Sequence, residues 1–199
     1  MIVDERIITF INSLDTKNSE ILEDIEREAL ADNVPIIRRE MQSFLKVLLM
    51  VKKPMRVLEV GTAVGFSALL MSEYVPEECA ITTIENYEKR IPIARQNFVR
   101  AGKEKKITLL EGDAMDVLKT LEGPYDFIFM DAAKGQYIHY LPEILRLLAK
   151  GGILVSDNVM QDGDVIESRF AVERRDRTIH ARMREYLYEL KHNDALVTS

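Results

Sequence analysis

The sequence predicts an α/β fold in which a mostly parallel central sheet carries helices on both faces, preceded by an N-terminal helical extension. From Pro54 onward, short β-branched or aromatic runs alternate with amphipathic stretches. Strand, helix, strand, repeated, requires crossovers of one hand, and these cover both faces of a parallel sheet. Size sets the domain count: 199 residues, 47% hydrophobic and 30% charged, bury one proper core and are too few for two ordinary domains. Residues 1–199 therefore read as a single domain, with 1–53 the helical extension and 54–199 the core.

In the extension, Ile7, Ile8, Ile11 and Leu14 recur at helical spacing. Ile21, Leu22, Ile25 and Leu30 repeat the pattern, and Phe44, Leu45, Leu48, Leu49 and Val51 mark a third helix after Pro35. Strands follow at Arg56–Val60, Ala80–Ile84, Ile107–Glu111, Phe127–Met130 and Ile153–Ser156. Helices fall between them at about Phe66–Glu73, Lys89–Ala101, Ala114–Leu121 and Ile138–Leu148. After Asp164 the chain reads as helical and arginine-rich to about Lys191, and Ala195–Thr198 reads as the start of another strand, so a final strand beyond Ser199 is expected.

No apolar run approaches the roughly 20 residues of a membrane helix, and the N-terminus lacks a basic region followed by an apolar one. A cytoplasmic protein is the expectation. Cys79 is the single cysteine, which excludes an internal disulfide or a thiolate zinc cluster, and His139, His180 and His192 are scattered. Any metal would have to be held by oxygen. The net charge of −6 argues against generic nucleic-acid binding, yet Arg169–Arg184 holds Arg169, Arg174, Arg175, Arg177, Arg182 and Arg184 against Glu173 and Asp176. That stretch is either a solvated helix face or a basic patch.

In an open parallel sheet, ligands bind beyond the carboxyl ends of the strands. The first strand runs through Glu59 into Gly61-Thr62-Ala63-Val64-Gly65-Phe66-Ser67, a turn opening a helix, where small residues let a ligand touch backbone. The same pattern can be no more than a tight turn. Glu85 ends the second strand roughly 20 residues after Gly61, where a carboxylate can accept from a ribose diol or simply cap an exposed strand end. Asp113 ends the third, placed to accept from an adenine amino group or to cap the next helix. Gly-x-x-x-Gly preceded by Glu59 is not the Gly-x-Gly-x-x-Gly turn that packs against pyrophosphate, which disfavours a nicotinamide enzyme.

Taken together, the constellation resembles Rossmann-like class I methyltransferases from Pro54 to about Asn158. The resemblance implies S-adenosylmethionine, a nucleoside with an amino-acid tail and no phosphate, bound at Glu59, Gly61, Gly65, Glu85 and Asp113.

The fourth strand closes as Met130-Asp131-Ala132-Ala133-Lys134 and the fifth as Ser156-Asp157-Asn158. Asp131, Asp157 and Asn158 offer hard oxygen donors at neighbouring tips, suited to Mg²⁺, with calcium or manganese also admissible; capping of strand ends is the plainer alternative. Asp-x-x-Lys followed by Asp-Asn is similar to the signature of metal-dependent catechol and caffeoyl-CoA O-methyltransferases, and these three residues match that family's metal ligands. A sulfonium methyl is already activated, so the enzyme must align an acceptor oxygen and make it anionic. A metal on the hydroxyl lowers its pKa. Lys134 resembles the family's catalytic lysine, which would take the proton or steady the oxyanion; a surface lysine is its rival.

Val34-Pro35-Ile36-Ile37, the loop Asp131–Tyr137, Asp157-Asn158-Val159 and Arg174-Arg175-Asp176-Arg177 resemble bacterial tRNA 5-hydroxyuridine methyltransferases, nearly end to end. That resemblance implies a tRNA wobble uridine as substrate, with Ile37, Ser67, Glu85, Asp113, Ala114 and Asp131 lining the cofactor and the basic stretch, joined by Arg38 and Arg39, holding phosphates. A small-molecule O-methyltransferase for catechols or acyl-CoA phenols shares every metal and cofactor residue. A cofactor-binding module without turnover is a third reading, against which the intact Asp131, Lys134, Asp157 and Asn158 speak. The family's members commonly pair, which implies a homodimer with Ile7–Leu14 and Ile21–Leu30 as candidate interface.

Overall fold

A computed structural model describes residues 3–199. Three helices precede the sheet: α1 (Glu5–Ser13), α2 (Glu20–Ala31) and α3 (Arg39–Lys52). Asp4 opens α1 by accepting from the Arg6 N–H, satisfying one of the free donors of its first turn. Helix α2 turns Leu22, Ile25 and Ala29 inward, and α3 buries Leu45 and Leu49, as the helical spacing of those residues requires. Helix α1 buries none of its residues.

The core then alternates through β1 (Arg56–Val60), α4 (Phe66–Tyr74), β2 (Ala80–Glu85), α5 (Ile91–Arg100), β3 (Ile107–Glu111), α6 (Ala114–Thr120), β4 (Tyr125–Met130), α7 (Tyr137–Leu147), β5 (Leu148–Ser156) and α8 (Arg177–His192). The strands pair in the order β3-β2-β1-β4-β5, all parallel. Successive side chains of a strand face opposite ways, and the two interiors follow from that. Val57, Phe127 and Phe129 join Leu22, Leu45, Leu69 and Phe98 under α2 to α5. Leu58, Ile128 and Met130 join Tyr137, Ile144, Met183 and Tyr186 under α6 to α8. The chain leaves β1 first toward β2 and β3, then returns to β4 on its other side, so the order reverses beside β1 and opens a crevice at the strand tips.

Two expectations need correction. The helix expected from Asp164 begins only at Arg177; before it lie a 3-10 turn, Gln161–Ile166, and irregular turns. Across this stretch arginine side chains, not helical N–H groups, take up the carbonyls: Arg184 that of Val165, and Arg177 those of Val172 and Phe170. Ala195–Thr198 forms no strand: the Thr198 hydroxyl donates to the Leu190 carbonyl at 2.8 Å, and Lys191 Nζ donates to the Thr198 carbonyl at 2.5 Å. These bonds fold the segment back on the end of α8. No helix among the described residues is long and apolar enough to cross a membrane.

Candidate active site

The tips of β1 and β4 meet closely. A Cβ on Gly61 would lie 2.1 Å from the Asp131 carbonyl oxygen, and φ there is +106°, so only glycine fits. The Asp131 N–H donates to the Val60 carbonyl and the Asp157 N–H to the Met130 carbonyl, each at 2.9 Å. Those bonds set Asp131 and Asp157 at adjacent strand ends, on a cavity of about 970 Å³.

Of the sequence-predicted residues, Ile37, Gly61, Ser67, Glu85, Ala114, Asp131, Lys134, Asp157 and Asn158 line this one cavity. Glu59, Gly65 and Asp113 are not among the residues that line it, and each has internal partners of its own. Glu59 is fully buried; one oxygen accepts from Ser67 and the other from Thr83, both at 2.5 Å. Thr62 in turn lies 2.6 Å from the Thr83 hydroxyl. Burial pushes the Glu59 carboxyl up to about 7, against the lowering effect of the two hydroxyls. It supports Ser67 and Thr62, which do face the cavity. Gly65 is required for packing: a Cβ would meet the Phe98 ring at 2.5 Å. Asp113 caps α6 by accepting from the Met115 N–H at 2.8 Å.

Glu85 accepts from the N–H groups of Ala63, Asn86 and Tyr87 at 2.7, 3.0 and 2.9 Å. A carboxylate offers about four lone-pair positions, so in this arrangement about one remains for a ribose hydroxyl. Accepting from both hydroxyls of a diol requires the side chain to release a backbone partner.

On the other side, Lys134 Nζ donates to Asp131 Oδ1 at 2.8 Å and to the Tyr137 hydroxyl at 2.9 Å. Burial, and then the nearby Asp131 charge, raise the Asp157 carboxyl above the ordinary range, with Lys134 opposing. The two acids thus press on one another, with the Lys134 ammonium paired to Asp131 and the Arg38 charge acting more weakly on Asp157. Among the described residues no three His, Cys, Asp or Glu side chains cluster as a metal site; the candidate set is two carboxylates and the Asn158 amide. Such hard oxygen donors, two of them carboxylates, fit a divalent cation.

Sequence reasoning missed the outer wall of the cavity. Ile7, Ile8 and Ile11 of α1, with Met41 and Phe44 of α3, line it. Their periodicity was visible, but it also suits an interface helix. The basic stretch is partly consumed internally. Arg182 donates to the Gly135 carbonyl at 3.1 Å and Arg184 to the Val165 carbonyl at 2.9 Å. Arg177 reaches the carbonyls of Val172 and Phe170, and Arg175 pairs with Glu173 and Asp176. Arg169 and Arg174 stay exposed. Arg39 is committed to Glu26 at 2.8 Å, and Arg38 to Asp162 at 2.6 Å.

Residues 12–195 match the sequence model of a family described as O-methyltransferase. The chain is 35% identical over 128 residues to a catechol O-methyltransferase of Niastella koreensis, covering 62% of this chain and 58% of that one. It is likewise 35% identical over 133 residues to caffeoyl-CoA O-methyltransferase 2 of Populus trichocarpa, covering 62% and 52%. These matches thus span little more than half of the curated relatives' length. Among solved structures, the O-methyltransferase of Bacillus cereus in complex with S-adenosylhomocysteine superimposes with a TM-score of 0.83 at 25% identity, covering 95% of this chain and 86% of the other.

Proposed function

This chain belongs to the O-methyltransferase family, and from that premise we propose that it moves the methyl group of S-adenosylmethionine onto a hydroxyl oxygen with a divalent cation, Mg²⁺ first among candidates. The observation carrying this reading is one cavity that joins Glu85 and the β1 turn to Asp131, Asp157, Asn158 and Lys134. Glu85 and the backbone around Gly61 hold the cofactor's ribose and tail. Asp131, Asp157 and Asn158 hold the cation, which when bound acidifies and orients the acceptor hydroxyl. Lys134 takes the hydroxyl proton when it is a neutral amine, or as an ammonium steadies the oxygen, while the S–CH₃ bond breaks and the O–CH₃ bond forms.

For the acceptor we propose the 5-hydroxyl of a tRNA wobble uridine, supported by the near end-to-end resemblance and by the exposed Arg169 and Arg174 beside Arg175. A catechol or acyl-CoA phenol is the second reading, favoured by the names of the curated relatives and by the apolar wall of Ile7, Ile8, Ile11 and Phe44. We further propose cytoplasmic action and pairing of two copies through α1, as its sequence suggested, and through α3 in place of Ile21–Leu30, because Leu22, Ile25 and Ala29 of α2 are buried in the core while Phe44, Val47 and Val51 of α3 are exposed.

Labelled methyl transfer to bulk tRNA lacking this modification tests the reading. Transfer is expected to stop with chelator, return with Mg²⁺, and fall at least about 100-fold in Asp157→Ala; full-speed transfer by that variant without metal would sink it. Charge reversal at Arg174 and Arg175 is expected to abolish transfer to tRNA and spare a catechol assay. Equal loss in both assays would point to misfolding and remove the RNA assignment.

A further inference from the structure

Tyr137 lies at the start of α7, fully buried, and its hydroxyl sits at a junction of three groups. It donates to the Met130 carbonyl at 2.8 Å and accepts from the Ala132 N–H at 3.2 Å and from Lys134 Nζ at 2.9 Å. The Met130 carbonyl is the same one that receives the Asp157 N–H. The proton of the tyrosine is thereby committed, and of its two lone pairs one faces the Ala132 N–H and the other the lysine. Burial, followed by the Asp131 charge, pushes the phenol far above its ordinary range, so it stays a neutral acceptor throughout. The Tyr186 ring packs edge-on to that of Tyr137 with centroids 5.4 Å apart, and fixes it from α8.

A lysine side chain has four rotatable bonds and ordinarily wanders. Here its ammonium is held by Asp131 on one side and by Tyr137 on the other, and its side chain is only 17% exposed. We propose that Tyr137 is the positioning residue for Lys134, fixing the amine at the Asp131 side of the cavity where the acceptor hydroxyl must lie. Tyr137 touches no reactant; it acts through Lys134. The inference rests on the methyl-transfer reading, because it assigns a partner to the lysine that reading uses.

The test is a double-mutant cycle on the whole chain with S-adenosylmethionine, Mg²⁺ and the acceptor that the wild type methylates. Tyr137→Phe is expected to lower kcat about tenfold while KM and calorimetric affinity for S-adenosylhomocysteine stay within about twofold. In a Lys134→Met background the same change is expected to cost less than about twofold. Tyr186→Phe also loses a buried hydroxyl, one that bonds Ser156 at 2.6 Å, and is expected to lower kcat by the same small factor in both backgrounds. An equal loss from Tyr137→Phe in both backgrounds, or a loss that falls on KM rather than kcat, would overturn the proposal and make Tyr137 a brace of the fold. A wild type that transfers no methyl refutes the methyl-transfer reading itself, and this inference with it; a Lys134→Met protein as fast as wild type leaves methyl transfer standing and refutes the role of Lys134 and this inference.

Discussion

Glu59 shows how a residue can shape a site without touching its contents. Its carboxyl is wholly buried, and its two oxygens are satisfied by Ser67 and Thr83. With a folded value near 7 against an ordinary value of 4.5, the folded state holds a proton that the unfolded state has already released between those limits. Stability from this group is therefore present at acid pH, declines as pH rises through about 4.5 to 7, and is flat above. The decline is about 3 kcal/mol. Urea titrations at a series of pH values should show that slope in the wild type and lose it in Glu59→Gln, with the variant the more stable partner above neutrality. Parallel curves for the two proteins would refute the assignment.

Helix α8 fastens the segment that follows the candidate cation ligands. Arg184 holds the Val165 carbonyl, Arg177 holds those of Val172 and Phe170, and the buried His180 lies with Nε2 3.1 Å from the Glu167 carbonyl. Arg184→Met is expected to raise amide exchange across residues 161–176 while leaving β1 and β4 protected; unchanged exchange there would mean that packing of Val165 alone suffices. This segment was the least legible part of the sequence. Strand runs such as Val57–Val60 and Phe127–Met130 announce themselves because both faces are buried. Arginines, by contrast, look alike whether they face water or stitch carbonyls together. The helix expected from Asp164 failed for that reason. Asp131, Lys134, Asp157 and Asn158 were readable because strand order brings tips together. The internal partners of Glu59 and the helix-capping bond of Asp113 were not, since a carboxylate at a strand tip serves a ligand, a hydroxyl or a helix cap equally well.

At the level of the whole molecule, α1 and α3 carry much of the exposed apolar surface. Ile7, Phe10, Ile11 and Leu14 on one helix and Phe44, Val47, Met50 and Val51 on the other are each half exposed or more. Asn12 of α1 donates to Glu40 of α3 at 3.2 Å, which joins the two helices into one face. An apolar patch of this kind marks an association surface, and a second copy is the occupant proposed above. Sedimentation should report a dimer for the wild type and a monomer for a Val47→Glu, Val51→Glu double variant, with S-adenosylhomocysteine binding preserved; a monomeric wild type at micromolar concentration would refute the pairing.

The approach of Gly61 to the Asp131 carbonyl has a thermodynamic corollary. Within the one cavity, the Gly61 turn proposed for the nucleoside abuts the backbone of Asp131, proposed for the cation, so a shift at either strand tip displaces the other. Heterotropic linkage is the expected result, and reciprocity demands that each guest change the other's dissociation constant by the same factor. Calorimetric titration of Mg²⁺ with and without S-adenosylhomocysteine, and the converse pair, should return one common ratio different from unity; a ratio of one would mean that the two strand tips yield independently.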